Sequence, residues 1–303
     1  MTDPVIEELL RDFERHKPRA LARAISYAEA GRGGAFVRAL YGKTGRAMSI
    51  GLTGPPGVGK STLCAGLVAK ARSLGKTVGV VSVDPSSPFS HGALLGDRIR
   101  LIEHFTDPDV FIRSMASRGH LGGLAGATAD AVLLMDAFGF DVVIVETVGV
   151  GQSEIAIADL AQTTLVALQP GSGDSIQVLK AGIMEIADVF VVNKADHPMA
   201  GLLQREIRST MEMLHWDGWV PELVVTQALS GAGIDELWSA IERHMAYLNE
   251  TGEIVQRRRD AFIHQVRQLA LGRLGDRLER ALRSQEPDDL DPYAAADRIL
   301  SSL

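Results

Sequence analysis

Residues 54–61 read GPPGVGKS, which fits the phosphate-binding pattern G-x-x-x-x-G-K-[ST] without deviation. The stretch follows an apolar run predicted as a strand and opens a predicted helix, which is the context in which this pattern binds phosphate. Backbone N–H groups and the helix dipole can converge there on a β-phosphate. We expect the Lys60 ammonium to reach the β- and γ-phosphate oxygens and the Ser61 hydroxyl to ligate Mg²⁺. The predicted nucleotide-binding residues are Gly57, Val58, Gly59, Lys60, Ser61 and Thr62.

A second motif, Asn193-Lys194-Ala195-Asp196, follows another apolar run and predicts which base is bound. The Asp196 carboxylate can accept two hydrogen bonds from guanine, one from N1–H and one from the 2-amino group. Adenine offers neither donor and would leave a desolvated carboxylate unpaired, so the motif discriminates strongly between the bases. Together the two motifs predict binding of GTP and its hydrolysis to GDP and phosphate. Asn193, Lys194 and Asp196 are the predicted base-side residues.

A third motif, Glu146-Thr147-Val148-Gly149, has the D-x-x-G form of a GTPase switch, with glutamate in the first place. Glu146 can hold a Mg²⁺-bound water, and the Gly149 N–H can sense the γ-phosphate. Ras-like proteins carry a water-orienting glutamine directly after the switch glycine, where this chain has Val150. Unaided hydrolysis is therefore expected to be slow and to depend on a partner. Gln152 is either a catalytic helper or a residue that bonds to backbone or solvent.

Two further acids are candidates for the magnesium shell. Asp84 ends the apolar run 78–83, and an acid at the tip of that strand can reach Mg²⁺ or polarise water. Asp97 follows Gly96, and it is either a second such acid or a helix N-terminal acid that interacts with the dipole. The predicted catalytic residues are Lys60, Asp84, Glu146 and Gly149, and the predicted metal-binding residues are Ser61, Asp84, Asp97 and Glu146.

The arrangement of apolar runs predicts an α/β fold with a doubly wound, mostly parallel sheet and helical extensions at both ends. Most of the runs are continuous, as expected for parallel strands buried on both faces. We predict a helical N-terminal subdomain over 1–46, a nucleotide-binding domain over 47–249 and a helical C-terminal segment over 250–303. That last segment is either packed on the domain's own flank or a dimerisation arm. The predicted strands are 49–53, 78–83, 110–114, 142–147, 164–168, 189–193 and 223–226.

The composition excludes several other classes of protein. The chain has 303 residues and a net charge of −7, which argues against a protein that mainly coats nucleic acid. Its single cysteine, Cys64, permits no internal disulfide and is expected to be a small core residue. The N-terminus lacks the apolar region of a signal peptide, and charges interrupt the longest apolar runs. We therefore expect a cytoplasmic protein with no membrane or nucleic-acid partner.

Three longer segments carry a resemblance to a known family: 111–123 (FIRSMASRGHLGG), 146–154 (ETVGVGQSE), and 170–177 (PGSGDSIQ) continuing through 180–188 (KAGIMEIAD). They resemble the MeaB/ArgK family, whose human member is MMAA, over about residues 18–280. The resemblance implies a GTPase that acts as a chaperone for an adenosylcobalamin-dependent acyl-CoA mutase, typically methylmalonyl-CoA mutase. Such proteins gate cofactor delivery and protect or reactivate the mutase, and they are usually homodimers joined through C-terminal helices.

The resemblance also assigns roles to residues that the motifs alone leave open. The family's third switch corresponds to the run from Gly171 to Lys180, so Gln177 and Lys180 become candidates for coupling the nucleotide state to the mutase. In the loop 226–230, Ala228 and Leu229 are predicted to contact the base, although TQALS departs from the commoner Ser-Ala form. Two other functions remain open: a kinase of a transport protein, an old label in this family, and a GTP-dependent assembly factor for another client.

The sequence differs from related patterns at several further points. Family members usually carry Gly-Gly where this chain has His91-Gly92. Cobalamin modules of the mutase type use D-x-H-x-x-G; His120 and Gly123 fit its end, but Arg118 replaces the aspartate. We therefore expect no cobalamin bound by that motif. The Cys-x-Cys-Cys and His-rich segments of nickel-inserting relatives are also missing from the sequence.

Overall fold

The computed structural model describes residues 4–85, 104, 106–117, 126–147, 157–171, 183–283 and 291–302. Within these residues one sheet contains seven strands: β1 Met48–Thr53, β2 Val78–Pro85, β3 Val110–Ser117, β4 Val142–Thr147, β5 Thr163–Leu168, β6 Val189–Val192 and β7 Glu222–Val225. The α-helices are α1 Pro4–Glu14, α2 Pro18–Glu29, α3 Gly34–Leu40, α4 Lys60–Ser73, α5 Gly126–Phe138, α6 Ala200–Met213, α7 Ile234–Thr251, α8 Glu253–Arg283 and α9 Pro292–Ser302.

The sheet is parallel throughout, with the strand order β3-β2-β4-β1-β5-β6-β7. Strands β2, β3 and β4 lie on one side of β1, and β5, β6 and β7 lie on the other. The chain therefore reverses its direction of strand addition at β1, and ligands of such sheets bind beyond the carboxyl ends of the strands at that reversal. The GPPGVGKS loop leaves β1 at this point.

The predicted fold class is confirmed, and each predicted run corresponds to one strand. The largest differences are at the ends of β2 and β3, which continue to Pro85 and Ser117. There the two strands go on pairing with each other, with Asp84 opposite Ala116, beyond the apolar residues that marked the runs. Backbone pairing to a neighbouring strand, which composition does not report, extends these strands.

Helices cover both faces of the sheet, which explains why the strands are apolar at consecutive positions. Val143 and Ile144 of β4 are both buried, but they belong to different apolar clusters because successive side chains of a strand point to opposite faces. One face packs against α4 and α7, where Trp238 is buried. The other packs against the N-terminal helices and α5, and the β5–β6 end of the sheet also packs against α6.

The chain divides into two compact units, Met1–Arg257 and Arg258–Leu303. The first contains the sheet, the helices α1–α7 and the first residues of α8. The second contains the rest of α8, together with α9.

A buried charged cluster lies at the amino end of β6, around Asp188. Arg257 binds the carboxylate with two nitrogens, at 2.6 Å and 2.9 Å. The Nε2 atom of the fully buried His244 is 3.2 Å from Asp188 Oδ1, and its Nδ1 shares a hydrogen bond of 2.9 Å with the Thr163 hydroxyl. The Thr164 backbone N–H also donates to the carboxylate, at 2.7 Å. The charges that meet here are therefore compensated within the protein, as burial requires.

The prediction for Cys64 is confirmed: the side chain is fully buried in α4, and burial raises the pKa of its thiol well above the usual range. Among the residues described, no helix combines the length and the apolar character needed to cross a bilayer.

Candidate functional site

The loop after β1 forms a turn that glycines make possible. Gly54, Gly57 and Gly59 all have positive φ, at 138°, 80° and 95°. A Cβ on Gly54 would collide with the carbonyl oxygen of Ala167 on β5, and one on Gly59 would lie 2.6 Å from Asn193 Nδ2. Gly59 is the N-cap of α4, a helix of 14 residues. The backbone N–H groups of the loop therefore lie next to the positive end of the helix dipole.

Lys60, the first residue of α4, folds its side chain back onto the start of this loop. Its side chain is only 7% exposed, and its ammonium donates to the carbonyl oxygens of Gly54 at 2.7 Å and Pro55 at 2.9 Å. A positive charge is therefore held inside the ring of backbone groups where the motif predicts phosphate.

Ser61 and Glu146 meet beside the loop. The Ser61 hydroxyl donates to Glu146 Oε1 at 2.6 Å, and both side chains are more than 90% buried, at 5% and 6% exposed. Glu146 is placed there because it stands opposite Leu52 in the β1–β4 register, next to the start of the loop. A hydroxyl and a carboxylate oxygen suit Mg²⁺, which is usually held by one or two protein oxygens, waters and substrate phosphates. Among the residues described, no cluster of three or more His, Cys, Asp or Glu side chains suits a metal.

Asn193 ties the base-reading motif to the phosphate loop. It follows β6 and is buried, and its amide nitrogen donates to the Val58 carbonyl at 2.8 Å. Its amide oxygen accepts from the Thr226 hydroxyl at 3.0 Å and from the Ala228 N–H at 3.1 Å. One side chain thus joins three segments that are far apart in sequence.

Lys194 makes a second tie to the same loop. Its backbone is left-handed, with φ of 60°, and its ammonium donates to the Gly57 carbonyl at 2.8 Å and to Gln169 Oε1 at 2.5 Å. Left-handed backbone is uncommon for a residue with a side chain and is maintained by its surroundings.

These ties fix the direction of two N–H groups in the loop. In a trans peptide the C=O and the following N–H point in opposite directions. Lys194 holds the Gly57 carbonyl, and Asn193 holds the Val58 carbonyl. The N–H groups of Val58 and Gly59 must then point away from the base-reading motif. The motif that reads the base therefore also shapes the phosphate cradle.

The remaining base-side residues lie around Asn193. Asp196 is exposed, as a carboxylate that binds a ligand must be. Ala228 opens a short 3₁₀ turn and is buried, whereas the Leu229 side chain is 91% exposed. The Ala228 N–H is bonded to Asn193, so its role in the described geometry is to fix the loop. Direct contacts of Ala228 and Leu229 with a base stay a prediction.

Several predicted residues fall outside the described part of the chain. Asp84 lies in β2, at the carboxyl edge, but its side chain is outside the described atoms. Asp97, Gly149, Gln177 and Lys180 are outside the described residues altogether, as are His91 and Gln152. Their roles in metal binding, phosphate sensing and partner coupling stay predictions.

Two residues of the site were missed by the motifs. Gln169 follows β5 directly and binds Lys194, and Thr226 follows β7 directly and binds Asn193. A usable signal was present, because both are polar residues placed just after a strand of a parallel sheet, where ligand sites form.

The chain is similar to several known proteins. The family model described as methylmalonyl-CoA mutase-associated GTPase MeaB matches residues 21–283. A putative GTPase of Pyrococcus horikoshii is 44% identical over 98% of this chain and 98% of its own. GTPase ArgK of Escherichia coli is 34% identical over 88% of this chain and 84% of its own.

Two further similarities extend this comparison. The mouse protein named methylmalonic aciduria type A homolog, mitochondrial, is 38% identical over 69% of this chain and 52% of its own length. A crystal structure described as LAO/AO transport system kinase superposes with a TM-score of 0.73, at 25% identity, and covers 100% of this chain and 98% of its own.

Proposed function

This chain belongs to the MeaB family of methylmalonyl-CoA mutase-associated GTPases, and from that premise we propose that it is a chaperone of an adenosylcobalamin-dependent acyl-CoA mutase. The chain itself is a GTP hydrolase. In the proposed role, GTP binding and hydrolysis gate delivery of the cofactor to the mutase and protect or reactivate it. The observation that carries the proposal is the family match over residues 21–283, which includes nearly the whole of the first unit.

The nucleotide site supplies the chemistry for this role. GTP is hydrolysed by in-line attack of water, and the residues around the phosphates stabilise the charge that develops. Lys60 provides a fixed positive charge, and the Val58 and Gly59 N–H groups are oriented by the base-reading motif. Ser61 and Glu146 would hold Mg²⁺, which neutralises phosphate charge when bound.

The residue that follows the switch glycine supports a partner-dependent switch. The residue after the switch glycine is Val150, whose side chain cannot orient water. A client that supplies or orders the missing group would raise the rate. We place the coupling to the client at Gln177 and Lys180, on the strength of the family resemblance of that run.

We also assign α8 to dimerisation. Six apolar side chains of α8 recur at spacings of three to five residues, and each of these six is between 37% and 49% exposed: Phe262, Val266, Leu269, Leu274, Leu278 and Leu282. A row of this kind on a helix of 31 residues fits pairing with a second copy of the chain.

The test is GTP turnover with and without candidate mutases of the methylmalonyl-, ethylmalonyl-, isobutyryl- and hydroxyisobutyryl-CoA types. We expect one of them to co-purify in a nucleotide-dependent way and to raise the turnover of the wild type. A Lys60→Ala variant is the matched control, in which the mutase should restore no turnover. The chaperone role is excluded if no mutase co-purifies in any nucleotide state and none changes the rate.

A kinase is the second candidate, because one similar structure carries that description. The Asn193–Asp196 motif argues against it, since guanine selectivity is typical of switches rather than of kinases. With γ-labelled GTP we expect the label in free inorganic phosphate. Label on a transport protein would favour the kinase, and nucleotide-dependent capture of a different client would favour an assembly factor.

A further inference from the structure

Gln169 is a polar residue that none of the nucleotide-binding motifs contains. It follows β5, the neighbour of β1, and is partly buried at the carboxyl edge of the sheet. A Cβ placed on Gly57 would be 3.8 Å from its Nε2 atom, so the side chain lies against the phosphate loop as well as against the base-reading motif.

The Lys194 ammonium lies between two oxygens. Gln169 Oε1 accepts from it at 2.5 Å, and the Gly57 carbonyl accepts at 2.8 Å. Holding a flexible lysine side chain in one place costs side-chain entropy, and this cost opposes its hydrogen bond to the Gly57 carbonyl. The second acceptor keeps the ammonium in place, and through it the Gly57 peptide.

We propose that Gln169 is a positioning residue of the GTP site, whose side-chain carbonyl holds the Lys194 ammonium against the Gly57 carbonyl and so keeps the Val58 N–H turned into the phosphate loop. The residue acts through Lys194 and does not touch the reacting atoms. The inference rests on the GTP-hydrolysing activity and is independent of the mutase partnership.

The variant that tests it is Gln169→Met, which keeps the length of the side chain and removes the carbonyl acceptor. We expect GDP binding to weaken about five- to tenfold, as for loss of a typical intramolecular hydrogen bond. KM for GTP should rise by a similar factor while kcat changes less than about twofold, because the interaction is made in the ground state and the transition state alike. Gln162→Met is the matched control, because Gln162 precedes the same strand at the opposite edge of the sheet.

A double-mutant cycle with Lys194→Ala separates this role from a general packing effect. If Gln169 acts through Lys194, Gln169→Met should change GDP affinity by less than about twofold in the Lys194→Ala background. The same loss of affinity in both backgrounds, or a Gln169→Met protein that binds GDP like the wild type, overturns the role of Gln169 alone. Failure of the wild type to bind GDP would overturn the GTPase assignment together with this role.

Discussion

The two ends of β6 carry buried polar side chains that are used in opposite ways. At the amino end, Asp188 is surrounded by partners from its own chain, namely Arg257, His244 and the Thr164 N–H. At the carboxyl end, Asn193 is equally buried, but the residues after it, Lys194 and Asp196, are exposed. The four residues of β6 thus separate two polar groups. The group at the amino end, the closed end, is bound entirely by protein partners, and the group at the carboxyl end, the open end, is exposed and available to a ligand.

The difference shows how to separate structural charge from functional charge in this sheet. A buried charge whose partners all come from the protein serves the structure, because removing one partner leaves the other charge buried and unpaired. A charged residue that is fixed at its base and exposed at its tip is available to a ligand. Substitutions at the amino end of β6 should therefore lower the free energy of unfolding. Substitutions at the carboxyl edge of the sheet should instead change nucleotide binding and turnover.

The largest effect is expected for Lys60→Ala, at the carboxyl edge. Removal of the ammonium takes away the fixed positive charge of the phosphate loop, and kcat for GTP should fall by about 10²- to 10³-fold. Steady-state phosphate release measures the rate. Lys70→Ala is the control, because Lys70 lies in the same helix and pairs with Asp235 on the surface. Near-normal turnover of Lys60→Ala would contradict the assignment.

At the amino end, Asp188→Asn should lower the free energy of unfolding by about 3 kcal/mol, since it leaves Arg257 without its charged partner. Denaturant titration measures the change. GDP affinity of the folded protein should stay within about twofold of the wild type. Glu222→Gln, which breaks the exposed pair with Arg243, is the control and should cost less than about 1 kcal/mol.

The pH dependence of the same variant sharpens the test. Burial raises the pKa of Asp188, but the neighbouring His244 imidazole and the hydrogen-bonded Arg257 guanidinium outweigh it and hold that pKa below its usual range. A lowered pKa contributes stability above the unfolded value of about 4, and the contribution is lost as the pH falls through the folded value. The stability gap between wild type and Asp188→Asn should be full at neutral pH and should narrow below about pH 4. A gap that is independent of pH would show that the charge is not the cause.

The smallest of the three substitution effects is expected for Asp196→Asn, at the open end. An amide can no longer accept hydrogen bonds as a charged group does, so the Kd for GTP should rise about 10- to 100-fold. Xanthosine triphosphate, which presents an oxygen in place of the 2-amino group, should bind this variant better than it binds the wild type. Asp217→Asn, another exposed aspartate, should leave binding unchanged. Unchanged GTP affinity in Asp196→Asn would remove that residue from the site.

The sequence predicted the open end far better than the closed one. The phosphate motif and the guanine motif are each a single short run of residues, and each follows a buried strand. Their positions at the carboxyl edge of the sheet could therefore be inferred from the pattern of apolar residues. Asp188 appeared in the sequence analysis only as the last residue of a family segment, just before a strand, with no role assigned. Its partner Arg257 lies 69 positions away, and nothing local indicates that the two meet.

The same limit applies within the nucleotide site. Glu146 was predicted as a metal-side residue, but its hydrogen bond with Ser61 depends on the β1–β4 register, which is a tertiary property. Gln169 and Thr226 were missed because each matters only through a contact with Asn193 or Lys194.

The two ties from the guanine motif to the phosphate loop bear on how this enzyme can be re-engineered. Asn193 and Lys194 each hold a carbonyl of the loop, whereas Asp196 is exposed beyond them. A version that works with an artificial nucleotide and ignores cellular GTP can therefore be sought by varying position 196 alone. Exchanging all four residues of the motif 193–196 would also remove the hydrogen bonds that hold the phosphate loop. Base selectivity can therefore be redesigned only while Asn193 and Lys194 are kept.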